Sequence, residues 1–536
     1  MKSGVNSMKQ LFQNAVIYTG NDFAKAFVVE DGKFTGVFYD KIPDQNYDEV
    51  IDLNNAFVCP GFNDSHMHLL NYGQFLTSAH LNEHTSSLKE MMDYMRSYME
   101  DKEFKDGAWI RGRGWNQDYF EDVHRMPEKS DLDKLSTEYP ICLTRACGHC
   151  CVVNSKALEI AGIDEDTKAP LGGAIDYERG LLYDNAIDIL DEILPLPDKE
   201  ELKKMIEAGA KALNAYGITS CQSDDYCVFR ELPFEVFNEA YKELEEEGRL
   251  TVRVYEQANF TKLDELKRFA EAGNISGTGD DMFKIGPLKM LGDGSLGGRT
   301  AHLSRPYADD PSTSGFSLFT DEQFNEMISY ANKNHMHVAV HAIGDACLDK
   351  VLNAIENALK EYPREDHRHG IVHCQISRKD QLERMIRLNT HIYAQSIFLD
   401  YDNHIVEDRV GKDLASTSYS WKTLKDNGLS VSNGSDCPVE LPDVMRGIEC
   451  AVTRTSIDGT GPYLEKEAFS VKEAIDSFTY ESAVASFEED HKGLIREGYL
   501  ADFTVLKEDP FKADPKHLHE IQILKTYLNG NKVYEK

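Results

Sequence analysis

The clearest clue to the fold is the stretch Pro60-Gly61-Phe62-Asn63-Asp64-Ser65-His66-Met67-His68, in which a short run ends in two histidines. The Pro-Gly pair breaks the preceding segment, and the residues after it predict a β-strand. Side chains two positions apart share one face of a strand, so both imidazoles can reach one metal ion about 2 Å away. The stretch therefore predicts a metal site where a strand passes into a helix.

A His-x-His pair is weak evidence by itself, because 18 histidines in 536 residues produce about one such pair by chance. Three such pairs bear on the predicted barrel: His66/His68, His335/His337 and His367/His369. His337 and His369 lie four residues before His341 and His373, at the start of the same predicted strands. We expect them to be core or bottom-face residues rather than ligands.

Three further polar residues end short apolar runs in the same way. His341 ends a run that begins at residue 337, His373 ends one that begins at Gly370, and Asp436 follows residues 429–435. Short β-branched runs followed by helical segments are typical of buried parallel strands. Each residue alone is equally well explained as a buried histidine or a turn aspartate, but several in order favour a ligand set.

Lys289 also lies near the end of a predicted strand, but an ammonium group has no lone pair and cannot bind a cation. Burial favours the neutral amine, which can add carbon dioxide and become an anionic carbamate that can bridge two metal ions. Two other interpretations remain open. The stem packs across the rim with its head in water, or the charged head pairs with a substrate carboxylate.

The middle of the chain alternates predicted strands with amphipathic helices. One apolar stripe follows a Thr320 to Gln323 capping box and another follows the His341 strand. The stripes are Phe324, Met327, Ile328 and Ala331, and Leu348, Val351, Leu352 and Ile355. Repeated strand-helix units with polar residues at successive strand ends predict a (β/α)8 TIM barrel in the α/β class, whose loops at the C-terminal face build the site.

The two ends of the chain predict a separate small β-sandwich, because both are rich in short strands and carry Asp31-Gly32 and Asn529-Gly530 hairpin signals. We assign residues 1–60 and 490–536 to this sandwich and residues 61–489 to the barrel. A segment at about 75–180 is too long for an ordinary βα loop and is expected to act as a lid-like insertion over the active site.

Three residues outside the ligand set are candidate substrate contacts: Trp115 and His149 in the insertion, and Arg299 after the Lys289 strand. The alternatives are a packing role for the tryptophan and a surface ion pair for the arginine. Cys147-Gly148-His149-Cys150 also has the sequence of a thiol-disulfide exchange site, so a redox module using Cys147 and Cys150 is a rival hypothesis. No thioredoxin-sized βαβ unit frames it, which disfavours this rival.

The charge balance bears on partners, since 58 basic and 92 acidic residues give a formal net charge of −34. This charge disfavours nucleic acid and anionic membranes as partners and leaves a small-molecule substrate as the expectation. No run of about eighteen apolar residues predicts a membrane span, and the N-terminus lacks the apolar core of a signal peptide. We expect a cytoplasmic enzyme; the sequence leaves a homo-oligomer open.

The motifs together resemble the amidohydrolase superfamily, in the branch that includes N-substituted formamide deformylases. The resemblance runs from about residue 17 to residue 536. It rests on residues 60–68, on Lys289-Met-Leu-Gly-Asp293-Gly-Ser-Leu-Gly-Gly-Arg299, on His341-Ala-Ile-Gly-Asp345, on His373, on Gly434-Ser-Asp436-Cys-Pro438 and on Gly498-Tyr-Leu-Ala-Asp502. The family often has a glutamate directly before the His373 position, whereas this chain has Val372, a difference that bears on substrate preference.

The resemblance implies two divalent metal ions, with zinc expected for a histidine-rich site. His66, His68 and Asp436 would hold one ion, His341 and His373 the other, and carbamylated Lys289 would bridge them. A metal-activated hydroxide would attack a carbonyl carbon, with Asp436 moving the proton to the leaving amine. We therefore expect hydrolysis of a C–N bond in an amide or N-substituted formamide; a deaminase or an ester hydrolase is the alternative.

Overall fold

The computed structural model describes residues 8–102, 104–105, 107–146, 150–170, 173–184, 186–191 and 193–536. The strands are β1 Gln10–Tyr18, β2 Phe23–Glu30, β3 Lys33–Phe38, β4 Glu49–Pro60, β5 Phe62–Met67, β6 Ala79–His80, β7 Ile110–Trp115, β8 Ile141–Arg145, β9 Cys150–Val153, β10 Gly173–Asp176, β11 Leu181–Asp184, β12 Ile218–Ser223, β13 Arg253–Asn259, β14 Phe283–Leu291, β15 Val338–Ala342, β16 Gly370–His373, β17 His391–Ala394, β18 Val431–Asn433, β19 Phe503–Leu506, β20 Ile523–Leu528 and β21 Asn531–Glu535.

The helices alternate with the strands through the middle of the chain. They are α1 Leu69–Thr77, α2 Leu88–Glu100, α3 Lys129–Leu132, α4 Ser155–Ala161, α5 Asp188–Asp191, α6 Lys199–Ala215, α7 Phe234–Glu246, α8 Leu263–Glu271, α9 Asp321–Lys333, α10 Asp345–Glu361, α11 Lys379–Leu388, α12 Leu399–Asp402, α13 Val406–Ala415, α14 Trp421–Asp426, α15 Val444–Thr453, α16 Val471–Ser477 and α17 Tyr480–Ala485. Two compact units result: one holds Met1–Asn71 and Gly209–Lys536, the other Tyr72–Ala208.

A (β/α)8 barrel lies in the larger unit, as predicted. Its eight strands follow the order β18-β17-β16-β15-β14-β13-β12-β5, and each neighbouring pair is parallel. Backbone hydrogen bonds of 2.8 Å from Asp436 N to His66 O and from His68 N to Cys437 O join the segment after β18 to β5. The first and last strands therefore meet at the C-terminal face, where the active sites of such barrels lie.

Gly434 allows the first strand of the barrel, β5, and the segment after the last strand, β18, to come this close together. A Cβ atom at this position would lie 2.6 Å from the His66 backbone nitrogen and 2.6 Å from Asp64 Oδ1. Any larger residue would push the segment after β18 away from β5. Because Asp436 is two residues farther on, Gly434 also determines how near that carboxylate comes to the histidines.

The predicted helix faces are confirmed. Thr320 and Gln323 form the capping box of α9, and the apolar stripes of α9 and α10 are buried. Burial of such a stripe against the sheet is the main stabilisation of an amphipathic helix, since isolated helices of this length are marginal in water.

The two ends of the chain form a separate seven-stranded sheet in the order β21-β20-β19-β4-β1-β2-β3. The rings of Phe12 and Phe27 in β1 and β2 lie 5.0 and 4.9 Å from the ring of Phe503 in β19, so strands from both ends of the chain share one core. Both predicted hairpins are present, with left-handed φ angles at Asp31, Gly32, Asn529 and Gly530. The predicted sandwich of the two termini is thus confirmed.

The smaller unit contains a sheet in the order β10-β11-β9-β8-β7-β6. Its core includes side chains from α2, β7 and β8, such as Met91, Ile110, Trp115 and Leu143.

Among the described residues of the whole chain, no helix combines the length and apolar character needed to cross a membrane.

Candidate metal centre

The predicted ligands come together at the C-terminal ends of the barrel strands. His66 belongs to β5 and His68 follows it, Lys289 lies in β14, His341 in β15, and His373 ends β16. Asp436 follows β18 in the segment that completes the barrel. Lys289 is fully buried, and His66 and His373 are each 1% exposed.

Asp436 lies beside the two histidines of the first strand. Its Oδ1 atom is 2.9 Å from His68 Nε2 and 3.2 Å from His66 Nε2. The Nζ atom of Lys289 is 3.0 Å from the same His66 nitrogen. Three donor types therefore meet around His66 Nε2: an imidazole nitrogen, a carboxylate oxygen and a lysine nitrogen. The ligand atoms of His66, His373 and Asp436 all lie within 4.8 Å of one another.

The other pair of histidines faces each other directly. His373 Nε2 lies 2.9 Å from His341 Nδ1. The remaining ring nitrogens are anchored elsewhere: His373 Nδ1 donates to Gln395 Oε1 at 2.8 Å, and His341 Nε2 donates to the Gly294 carbonyl at 3.1 Å. In these tautomers both facing atoms carry lone pairs, an arrangement that suits a cation bound by both rings.

His66 is oriented in the same manner, since its Nδ1 donates to Gln257 Oε1 at 2.9 Å and its Nε2 faces the centre. Fixing one ring nitrogen as a donor and turning the other inward is how proteins prepare histidines for a metal. Burial and the nearby Lys289 lower the pKa of His66 to about 4. Burial likewise holds the pKa of His373 well below its usual range, with a smaller contribution from His341. Both rings are therefore neutral ligands at neutral pH.

Two candidate ligands have a strained backbone. The φ angles of His373 and Asp436 are +73° and +59°, in the left-handed region that L-residues with side chains seldom adopt. Such conformations cost on the order of 1–3 kcal/mol and persist where the surrounding structure holds them in place. His373 is the last residue of β16 and Asp436 follows β18, and both side chains turn to the centre.

This donor set fits divalent metal. The centre offers imidazole nitrogens with free lone pairs, a buried carboxylate and a lysine nitrogen, and neutral imidazole with carboxylate suits zinc and similar ions. The facing nitrogens of His341 and His373, 2.9 Å apart with the other ring nitrogens bonded to Gly294 and Gln395, are the strongest indication.

The structure adds Asp224, Gln257 and Gln395 to the residues predicted from sequence. Asp224 directly follows β12 and forms a short contact with His68 Nδ1. Its position at a strand end is the signal that the other ligands also showed, but Ser223-Asp224-Asp225 has the composition of a turn as well. The two glutamines lie within or directly after strands, and no local pattern distinguishes them from other buried polar residues.

The candidate substrate contacts lie in different settings. Trp115 is fully buried in the core of the smaller unit, and its indole N–H donates to the Leu143 carbonyl at 2.8 Å, as in a packing anchor. Arg299 forms a two-bond ion pair with Asp309 at 2.9 and 3.2 Å. His149 and Cys147 lie outside the described residues, and Cys150 begins β9 as a buried residue.

The histidines that precede β15 and β16 are away from the centre. His337 and His369 directly precede β15 and β16, at the opposite end of these strands from His341 and His373, and both are fully buried. His337 Nδ1 contacts Ser276 Oγ at 3.1 Å, and His369 Nε2 contacts Asn332 Oδ1 at 3.1 Å. They are bottom-face core residues, as the sequence indicated.

Comparisons with known proteins agree with this geometry. The model of the amidohydrolase family matches residues 49–534. The chain is 36% identical to the putative amidohydrolase YtcJ of Bacillus subtilis (strain 168), over 99% of this chain and 100% of that protein. It is 23% identical to the N-substituted formamide deformylase of Arthrobacter pascens, over 91% of this chain and 90% of that protein.

Among solved structures, the chain is similar to an uncharacterized metal-dependent hydrolase from Pyrococcus horikoshii OT3. The TM-score is 0.78 and the sequence identity 26%, and the match covers 95% of this chain and 99% of the other.

Proposed function

The chain belongs to the amidohydrolase family and is a metal-dependent hydrolase, and we propose that it cleaves the C–N bond of an amide or N-substituted formamide. One observation supports the metal chemistry most directly: the lone pairs of His341 Nδ1 and His373 Nε2 face each other at 2.9 Å. Members of this family act on small molecules, and such a substrate is expected here.

We propose that His66, His68 and Asp436 hold one ion and His341 and His373 a second. The short distances within each group support this division. When bound, the ions would lower the pKa of a water molecule toward about 7 and polarise the substrate carbonyl. Zinc is the proposed metal, because its usual nitrogen ligand is neutral imidazole and its usual oxygen ligand is carboxylate.

Lys289 is proposed to carry a carbamate formed with carbon dioxide. Its Nζ is fully buried and lies 3.0 Å from a nitrogen of His66, which the sequence assigns to a metal site. A carbamate at this position would add two anionic oxygens between the two groups of ligands and offset part of the charge of the ions. An unmodified lysine would instead place a positive charge next to them, which is unfavourable.

Asp436 is proposed as the group that moves the proton. Its carboxylate is buried at the centre, where it can accept a proton from the attacking water and pass it to the leaving amine. The adjacent rings of His66 and His68 hold the pKa of Asp436 well below its usual range, although burial opposes this. The carboxylate is therefore ionised, as a proton acceptor must be.

The relative named N-substituted formamide deformylase supports the choice of a C–N bond. An activated hydroxide does not itself choose its electrophile, so a deaminase or an ester hydrolase on the same centre is the second candidate. A thiol redox function through Cys147 and Cys150 would be independent of metal, which separates it from both.

The test combines metal analysis with a substrate panel. The purified protein is expected to contain two equivalents of metal and to hydrolyse N-substituted formamides or N-acyl amines faster than matched esters. Exhaustive chelation should abolish turnover and added zinc should restore it. Turnover that survives chelation contradicts the metal mechanism. Turnover confined to esters, or to the amino-substituted rings that deaminases act on, contradicts the amide assignment. Replacement of Cys147 by Ser should leave turnover unchanged.

A further inference from the structure

Asp224 is a buried carboxylate that contacts two of the proposed ligands, and no motif of the sequence analysis includes it. One of its oxygens forms a short contact with His68 Nδ1. The other, Oδ2, accepts from Asn259 Nδ2 at 3.3 Å and lies 3.7 Å from Lys289 Nζ. The side chain is fully buried, so these groups, rather than water, compensate its charge.

The partner of His68 differs from those of the other histidines. His66 and His373 donate to neutral glutamine oxygens. His341 donates to the Gly294 carbonyl, with Asp293 Oδ1 slightly farther away at 3.3 Å. The ring of His68 is 18% exposed, so water can compete for its nitrogens. An anion is the acceptor that best holds a partly exposed ring in one tautomer, since charge-assisted hydrogen bonds are about twice as strong as neutral ones.

We infer that Asp224 is a positioning residue of the metal centre, an inference that rests on the proposed function. It keeps the hydrogen of His68 on Nδ1, which leaves the Nε2 lone pair directed at the ion beside Asp436. The same carboxylate faces Lys289, linking a ligand of β5 to a ligand of β14 through the end of β12.

The position of Asp224 also bears on the proposed carbamate. A lysine carbamate keeps one hydrogen on its nitrogen, and Asp224 Oδ2, 3.7 Å from Lys289 Nζ, would be an acceptor for it. The carbamate oxygens would be anionic, and repulsion from Asp224 would turn them away from this carboxylate. Asp224 would thus orient both ends of the Lys289 group.

A competing assignment is a separate ion site. The ligand atoms of His68, Asp224 and Cys227 lie within 4.8 Å of one another. However, the Cys227 thiol already donates to the Asp224 main-chain oxygen at 3.0 Å, and the contact between His68 Nδ1 and Asp224 Oδ1 is too short for two ligands of one ion. The contacts therefore favour a positioning role over a third ion.

The test is metal binding by Asp224→Asn, compared with the wild type and with Asp225→Asn. Asp225 is the neighbouring residue and is equally buried, but it binds Ser223, Tyr241 and the Leu70 backbone rather than a ligand. Cobalt(II) is titrated into metal-free protein against a competing chelator, and thermal unfolding of the metal-free forms checks the fold. Asp224→Asn is expected to bind one of the two ions about 10- to 100-fold more weakly. Asp225→Asn should stay within about twofold of the wild type.

A second readout follows the carbamate by carbon NMR after equilibration with labelled bicarbonate. The carbamate signal of the wild type is expected to weaken in Asp224→Asn and to persist in Asp225→Asn. Equal cobalt affinity and equal signal in wild type and Asp224→Asn overturn the inference alone. A thiolate-to-cobalt absorption band that Cys227→Ser removes also overturns it in favour of a separate site. Failure of the wild type to bind cobalt overturns the proposed function together with the inference.

Discussion

Replacement of Gln395 by Met is expected to weaken the binding of one metal ion without unfolding the barrel. Gln395 is fully buried, and its Oε1 accepts the Nδ1 hydrogen of His373 at 2.8 Å. Methionine has a similar length but is a poor acceptor. The Nδ1 hydrogen would lose its partner, and the ring can avoid this by moving the hydrogen to Nε2. That nitrogen then has no lone pair for the ion, so the cost falls on metal affinity.

The magnitude follows from the contact that is lost. A buried donor without a partner costs about 1–3 kcal/mol. Since 1.4 kcal/mol corresponds to a factor of ten, the expected loss of affinity is roughly 5- to 150-fold. Losses of about 10- to 100-fold are usual when the partner of a metal-binding histidine is removed. The two estimates agree, and the effect should concern the ion held by His341 and His373.

Cobalt titration against a chelator measures this affinity, and Gln375→Met is the matched control. Gln375 is 2% exposed and lies two residues after His373, but its amide donates to Asp402 rather than to a ligand. Gln257→Met should show the corresponding loss at the ion held by His66. If Gln395→Met binds both ions as tightly as the wild type, or if Gln375→Met loses the same affinity, Gln395 does not support metal binding through His373.

Three further outcomes are expected. Asp436→Asn should lower kcat by about 100- to 10,000-fold, as removal of a proton-transfer group does; unchanged turnover would exclude its role. Glu488 accepts from the partly exposed Lys284 at 2.8 Å and from the buried Lys492, so Glu488→Gln should destabilise the protein by about 3–5 kcal/mol, measured by urea unfolding. Although burial opposes ionisation, the two lysines lower the pKa of Glu488 to about 2 from its ordinary 4.5. Because the folded-state pKa is depressed, this stabilisation is fully present above pH 4.5 and is lost as the pH falls toward 2, and Glu488→Gln should lack that part of the acid dependence.

The positions of the candidate ligands at strand ends could be read from the sequence, whereas the groups around them could not. His341 and His373 could be found because each ends a short apolar run, a pattern that depends only on neighbouring residues. Asp224 occupies an equivalent position after β12, but two adjacent aspartates after a serine also form ordinary turns. Only the contact with His68 distinguishes the two interpretations.

The role of Trp115 could not be decided from the sequence either. Its large amphipathic ring is suited to binding a substrate or to filling a core, and the sequence does not decide between them. The structure places it in the core of the smaller unit. That unit contains a sheet of its own, whereas the sequence predicted only an interruption of the barrel pattern.

The barrel, the sheet of the two termini and the order of the ligands along the chain follow from the sequence alone. Strand and helix periodicity and turn residues are local properties, and strand ends can be read from them. The direction of each ring nitrogen, the closure of the barrel between Asp436 and His66, and the part played by Asp224 required the tertiary structure. These features join residues far apart in the chain, and hydrogen bonds between distant side chains leave no periodic trace in the sequence.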